Sequence, residues 1–399
     1  MSARLPLPGW LILLGALTAV GPLSIDMYLP SFPALELALG RGAELTLACF
    51  FIGLALGQLF YGPLSDRFGR KPPLYVGVAL YLLASLACAL AVNIEQLAAL
   101  RLLQGLGGCA GMVLGRAIVR DRCDARSAAQ AFSLLMLVMG LAPILAPLLG
   151  GWLLLLADWR AIFAFQALFG LACLLAVHWS LAESHVQRGA APLALGSILR
   201  GYGALLRERH FLAPTLAGGM AQAGMFAYIA GSPSVLIAQY GISPQHYGWV
   251  FGANALGLIT ASQLNARQLA RHAPAWLLQR ALWAPALAGV GLLLISLLWQ
   301  GQPPLWLLLP GLFGFVASLG YIGPNAAASA LAGQGERAGS ASALLGALQF
   351  ALATLAGLAM ALGHGGGSLP LAAAMAVCGL GALLALRLQP RAEAAPQPA

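Results

Sequence analysis

The chain has 399 residues, of which 60% are hydrophobic and only 8% charged, with a net charge of +9. A soluble globular domain carries about 25% charged residues, so this composition cannot cover a soluble surface and excludes a large soluble all-α protein. The positive balance needs no nucleic-acid partner, because the basic residues are not interleaved with aromatics.

Twelve apolar runs lie at 9–30, 43–64, 72–92, 97–118, 131–154, 160–181, 211–236, 245–264, 275–299, 304–326, 339–362 and 368–388. A helix crosses the hydrocarbon core with about 20 apolar residues, and only helices and closed barrels satisfy every backbone group there. The apolarity is continuous rather than alternating, which excludes a barrel. The first run is longer than a signal-peptide core and no Ala-x-Ala site follows it closely, so it is predicted to stay as a helix. The expected fold is an all-α polytopic membrane protein with twelve transmembrane helices. With the N-terminus inside, nearly all the basic residues fall in inner segments, and only Arg41 and Arg160 lie in outer loops. This positive-inside bias predicts that both termini are cytoplasmic.

The first run carries a charge where charge is costly. Of the twelve acidic residues, eleven lie in predicted loops, tails or helix ends, and Asp26 alone lies well inside a run, in the stretch Gly21 to Pro30 that reads GPLSIDMYLP. An ionisable group inside a span usually marks an ion pathway or a ligand site. Desolvation favours the neutral form of a carboxyl, so such a group can take a proton from one side and release it to the other as its exposure alternates. It can also pair with a cationic ligand when ionised. Acceptance of backbone hydrogen bonds near Pro22 and Pro30 is the structural alternative.

The second run ends in Gly62-Pro-Leu-Ser-Asp66-Arg67-Phe-Gly69-Arg70-Lys71. Gly62 permits close helix approach and Gly69 a tight turn, while Asp66 can cap a helix or pair with arginines in a network that latches two halves on the inner side. This loop resembles the signature G-x-L-x-D-R-x-G-R-K of the major facilitator superfamily. The Gly21–Pro30 stretch narrows the resemblance to the Bcr/CflA type of bacterial drug:proton antiporter, which implies that Asp26 couples proton and substrate movement. In the fourth run, Arg101-Leu-Leu-Gln104-Gly105 is similar to the R-x-x-Q-G motif of proton-driven members, which implies that Arg101 and Gln104 modulate protonation of a nearby acid. An arginine at a helix end, extending toward the outer interface, is the other reading.

The fifth run holds Gly140, Pro143, Pro147, Gly150 and Gly151. The two prolines remove amide donors and permit kinking, and the small residues let backbones of the two halves pack closely. The pattern resembles the antiporter motif G-x-x-x-(G)-P-x-x-G-G, with Ala142 in place of a common glycine and Pro147 added, and the resemblance implies export rather than uptake.

The segment from Glu183 to Arg209 is the longest polar stretch and splits the runs six and six. The predicted organisation is an N-terminal half at 1–182, a cytoplasmic linker at 183–210, a C-terminal half at 211–388 and a disordered tail at 389–399, rich in Pro and Ala. Parallel repeats of this kind build some transporters. A shift of 200 residues brings Tyr28, Phe51, Gly57 and Arg67 onto Tyr228, Phe251, Gly257 and Arg267. The second-half loop has Ala266 where an acid would stand, which predicts an asymmetric latch.

Tyr28, Gln58, Tyr61, Tyr228 and Asn254 are mid-run polar or aromatic candidates for a mostly apolar substrate cavity, although each can equally serve helix packing. The six cysteines are scattered and form no metal-ligand or disulfide pattern, so neither metal nor cofactor is expected. No nucleophile elbow, phosphate loop or paired intramembrane acid is present, and no enzyme activity is expected. The expected function is proton-coupled export of small amphipathic drugs across the bacterial inner membrane, by a monomer surrounded by lipid. A symporter importing a small metabolite would share the Gly62–Lys71 loop without needing the fifth-run pattern, and stands as the alternative.

Overall fold

The computed structural model describes residues 9–184, 195–334, 337–363 and 367–388. The expected tail at 389–399 and the middle of the linker, 185–194, lie outside them. Every regular element among the described residues is helical.

Helix α1 (Gly9–Asp26) continues through a 3-10 turn (Leu29–Ser31) into the short α2 (Phe32–Leu39). Helices α3 (Ala43–Phe68), α4 (Lys71–Ala89), α5 (Ile94–Arg122), α6 (Ala125–Leu156) and α7 (Arg160–Ser180) complete the first half. The short α8 (Leu195–Leu205) leads to α9 (Arg209–Ser232), which ends in a π-helical segment (Pro233–Gln239). Then follow α10 (Pro244–Gln268), α11 (Pro274–Ala281) with α12 (Trp283–Leu298), α13 (Leu305–Leu331), α14 (Ala338–Leu362) and α15 (Leu369–Leu386).

Eleven of these segments are long and apolar enough to cross a membrane. The twelfth expected span, α10, has the length, because 25 residues at 1.5 Å each exceed a core of about 30 Å. It falls short in apolarity because it carries Gln245, His246, Asn254, Gln263 and Asn265. Helix α10 packs on both α6 and α13, where Tyr247, Asn254 and Asn265 are buried, so these polar groups face protein and not lipid. The outer surface is apolar instead, with Leu83, Trp152, Leu155, Leu294 and Trp306 exposed.

Close helix crossing inside the first half depends on glycine. At Gly53 of α3 and Gly105 of α5, any added Cβ would run into the carbonyls of Leu102 and Phe50, so these two backbones touch. The 200-residue repeat is visible in packing: Gly57 rests on Cys109 of α5, and Gly257 rests on Phe313 and Ala317 of α13. The halves meet along two seams, α3 against α14 and α6 against α10. Near the start of α3, Ser234 Oγ donates to Glu44 Oε1 at 2.8 Å across the junction.

Candidate functional site

Helix α1 stops at Asp26 because Pro30 has no amide to give to the next turn. A helix C-terminus leaves its last carbonyls without intrahelical donors, and here side chains from two other helices supply them. Gln166 Nε2 donates to the Leu23 carbonyl at 3.2 Å, and Arg101 Nη2 donates to the Ser24 carbonyl at 2.9 Å. A guanidinium at that end also suits the helix dipole.

Arg101 is fully buried. Its Nη1 donates to Gln104 Oε1 at 2.5 Å, and Gln104 Nε2 donates to Ser85 Oγ and Gln166 Oε1, each at 2.8 Å. Ser24 Oγ and the Tyr81 hydroxyl close the network at 2.8 Å. The guanidinium lies over the rings of Phe50, Tyr28 and Phe163 at 4.3, 4.8 and 5.8 Å, a cage in which cation–π attraction replaces lost hydration. Arg101 therefore does not extend to the outer interface, and among the described residues it makes no ion pair with Asp26. It reaches the acid's segment through the backbone.

Asp26 is 4% exposed, and among the described residues no hydrogen bond or ion pair holds its carboxyl. The turn that follows it, Leu29–Ser31, packs on α10 and on the π-helical segment of the second half. There Tyr228 accepts from Asn254 Nδ2 at 2.7 Å and stacks on Phe251, and the Tyr247 hydroxyl pairs with Ser232 Oγ at 2.7 Å. The acid thus stands at the end of a first-half helix, just before a turn that packs on the second half.

The glycines of α6 lie against that place and against α10. A side chain at Gly150 would strike the Met27 carbonyl, next to Asp26, and one at Gly151 would strike the Pro244 carbonyl of α10. Gln245 Nε2 donates to the Gly151 carbonyl at 3.3 Å. Gly140 lies against Ile259 of α10, so the small-residue face follows the seam, as the sequence implies. Helix α6 runs unbroken through Pro143 and Pro147.

Other predicted cavity residues are dispersed. Tyr228 and Asn254 adjoin Asp26's surroundings. Tyr28 instead donates or accepts with Thr46 Oγ1 at 2.8 Å within the arginine cage. The Tyr61 hydroxyl packs against Gly77 of α4, and Gln58 against Gly346 at the α3–α14 seam. No motif marks a trio of aromatics that bridges the halves: Phe51 of α3 lies 4.5 Å from Phe226 of α9 and 6.4 Å from Phe350 of α14, with Phe226 and Phe350 6.0 Å apart. Phenylalanines in apolar runs are too common to stand out. Gln166 and Tyr81 were also invisible, since no motif contains them.

The Gly62–Lys71 loop corrects two expectations. A side chain at Gly62 would meet nothing within 4 Å, so that glycine is not needed for close approach there, whereas Gly69 does take a left-handed turn at φ 89°. Among the described residues, the partners of Arg70 and Lys71 in this charge network do not join the two halves to each other. Arg70 bonds Asp66 at 2.6 Å, Asp121 of α5 at 2.8 Å and Ser65 at 2.7 Å, and the amides of Arg70 and Lys71 donate to Glu183 at 2.8 and 3.1 Å. These partners tie α3, α4 and α5 to Glu183 at the start of the linker. Burial works to lower the Arg70 pKa, but the hydrogen bonds and charges of Asp121 and Asp66 outweigh it and hold the guanidinium above its ordinary value. Arg67 is exposed over Phe68. At the corresponding place in the second half, Asn325 Nδ2 donates to Asn265 Oδ1 at 2.7 Å, a neutral pair where the first half has ions.

Two helical bundles meeting along seams, with a buried acid at their junction, define a membrane transporter of the two-bundle kind. The Major Facilitator Superfamily profile matches residues 14–233, and the chain belongs to that superfamily. It is 39% identical over 348 residues, 86% of each chain, to the uncharacterized MFS-type transporter YdgK of Bacillus subtilis. It is 34% identical over 351 residues, 87% of each chain, to a bicyclomycin resistance protein homolog of Haemophilus influenzae. A chloramphenicol resistance protein of Pseudomonas aeruginosa is 31% identical over 337 residues, 82% of this chain and 78% of the relative. The crystal structure of a D-xylose-proton symporter shares the fold, with a TM-score of 0.70 at 16% identity over 96% of this chain and 97% of that one.

Proposed function

We propose that the chain exports small amphipathic drugs across the bacterial inner membrane in exchange for protons, by alternating access, with Asp26 as the proton-carrying group. The placement of Asp26 carries this reading: it is buried and unpaired among the described residues, and it stands just before a turn that packs on α10 of the second half. A carboxyl there meets water only when the halves part, and then from one side at a time. Arg101 and Gln104 act as positioning residues that hold the end of α1, and the Phe51, Phe226 and Phe350 rings offer the apolar surface for a drug.

A bound drug and a proton exclude each other at such a site, so each turn moves one out and the other in. Each proton moved through 100 mV supplies about 2.3 kcal/mol. The α6 glycine face supports export, as do relatives named for bicyclomycin and chloramphenicol resistance. In this reading residues 1–182 and 211–388 are the two halves, 183–210 form a cytoplasmic linker, both termini are cytoplasmic, the monomer is sufficient, and no cofactor or catalytic step takes part.

The test uses inverted membrane vesicles with an imposed pH gradient, in which addition of drug should release protons from wild type and not from Asp26→Asn. A full drug-driven proton flux in Asp26→Asn removes Asp26 from the cycle. Drug accumulation by intact cells that rises with the protein's expression reverses the direction and favours uptake.

A further inference from the structure

The linker helix α8 has one face that the protein covers and another that it leaves bare. Tyr202 and Leu205 are buried against Phe211, Ala330, Leu344 and Leu345 of the second half, and the Tyr202 hydroxyl donates to the Leu59 carbonyl of α3 in the first half. That bond fixes the depth of α8. Leu59 lies nine residues before the inner end of α3 at Phe68, or about 14 Å along the helix axis. With the reach of a tyrosine side chain, α8 lies alongside the last turns of α3 and not beyond its end.

Outward from the buried face, two stripes run side by side. Leu199 and Leu206 are exposed at 66% and 42% and lie seven residues apart, on one side of the helix. Arg200 and Arg207 are also exposed, one residue further round, and form a parallel stripe. The Leu206 amide still bonds the Tyr202 carbonyl at 3.0 Å, so the helical register extends to that pair. Exposed Arg209 adds to the cationic side. The acid beside it, Glu208, is engaged elsewhere, with Arg337 at 3.1 Å and Gln334 at 2.9 Å.

We propose that α8 is an interfacial anchor: Leu199 and Leu206 enter the acyl boundary while Arg200 and Arg207 bind the headgroups of anionic phospholipids. An apolar stripe flanked by arginines has this complementarity, with the long cationic side chains reaching from hydrocarbon to phosphate. Because Tyr202 bonds the first half and Leu205 packs on the second, a lipid seated on α8 acts on an element that touches both halves. The anchor is independent of drug, proton and direction, so it stands or falls separately from export.

Native mass spectrometry on the full chain in detergent, titrated with phosphatidylglycerol or phosphatidylcholine, tests it. Arg200→Gln with Arg207→Gln should weaken phosphatidylglycerol binding about 30-fold and change binding of phosphatidylcholine, whose headgroup has no net charge, by no more than about twofold. Arg200→Lys with Arg207→Lys should restore most of the preference. If the double glutamine variant does not fold, Arg207→Gln alone should lose about fivefold. Leu199→Ser with Leu206→Ser should weaken both lipids alike. Undiminished phosphatidylglycerol preference in the glutamine variants overturns the proposal, and so does competition by inorganic phosphate, which would mark a free-anion site.

Discussion

Arg101 donates to the carbonyl oxygen of Ser24 at 2.9 Å, two residues before Asp26, so guanidinium and acid are joined by a stretch of helix backbone and not by an ion pair. Movement of α5 therefore moves the end of α1, and with it the carboxyl. The charge is stabilised by rings and carbonyls, none of which can be protonated away.

Removing that guanidinium leaves the Ser24 carbonyl and Gln104 unsatisfied in an apolar interior. Arg101→Ala should destabilise the protein by about 3–5 kcal/mol. Arg101→Lys keeps the charge but loses the fork, and should fall between wild type and alanine. Thermal unfolding in detergent gives the order, and equal stability of the lysine and alanine variants would contradict it.

The two acids of the inner network are unequal. The Asp121 side chain is 19% exposed and Asp66 69%, so water screens the second pair far more. Asp121→Asn should impair folding or transport clearly, while Asp66→Asn should cost no more than about 1 kcal/mol. Urea unfolding of reconstituted protein, alongside a transport assay, separates them.

Gly105→Ala forces a methyl group into the Phe50 carbonyl, and neither helix can retreat without opening the α3–α5 contact. The cost should be about 1–3 kcal/mol or more, read as lost monodisperse protein on size-exclusion chromatography. Gly62→Ala, where the space is open, should behave as wild type in stability.

Gly150→Ala pushes on the Met27 carbonyl and so on the turn that carries Asp26. It should depress drug-driven proton flux more than drug binding. Phe226→Ala should do the opposite, raising the half-saturating concentration of an aromatic drug about tenfold through loss of ring stacking and apolar area while the proton step stays intact. Binding and flux measured on the same preparations distinguish the two.

The membrane fold was legible because lipid imposes a length and a polarity on every span, and those constraints are local. Even α10, the least apolar, has its span marked by flanking Ser243-Pro244 and by the shared Phe51/Phe251 and Gly57/Gly257 positions. The buried acid was legible for the same reason: a carboxylate well inside a run stands out against leucine and alanine. The side chains of the arginine network and of the aromatic trio were not. Gln166, Tyr81 and the Phe51–Phe226–Phe350 trio come from runs far apart in the chain, and each is unremarkable among its neighbours.

The sequence by itself determined how many times the chain can cross a bilayer, which ends carry positive charge, and that one acid sits where water is scarce. Tertiary structure decided what each charge faces: that Arg101 grips a carbonyl and not Asp26, that Arg70 gathers Asp66, Asp121 and Glu183, and that α8 touches both halves. Hydrophobic length and charge cost are properties of a segment alone. Pairing depends on which helix faces cross, and that is set by where small residues such as Gly53, Gly105 and Gly150 let backbones touch.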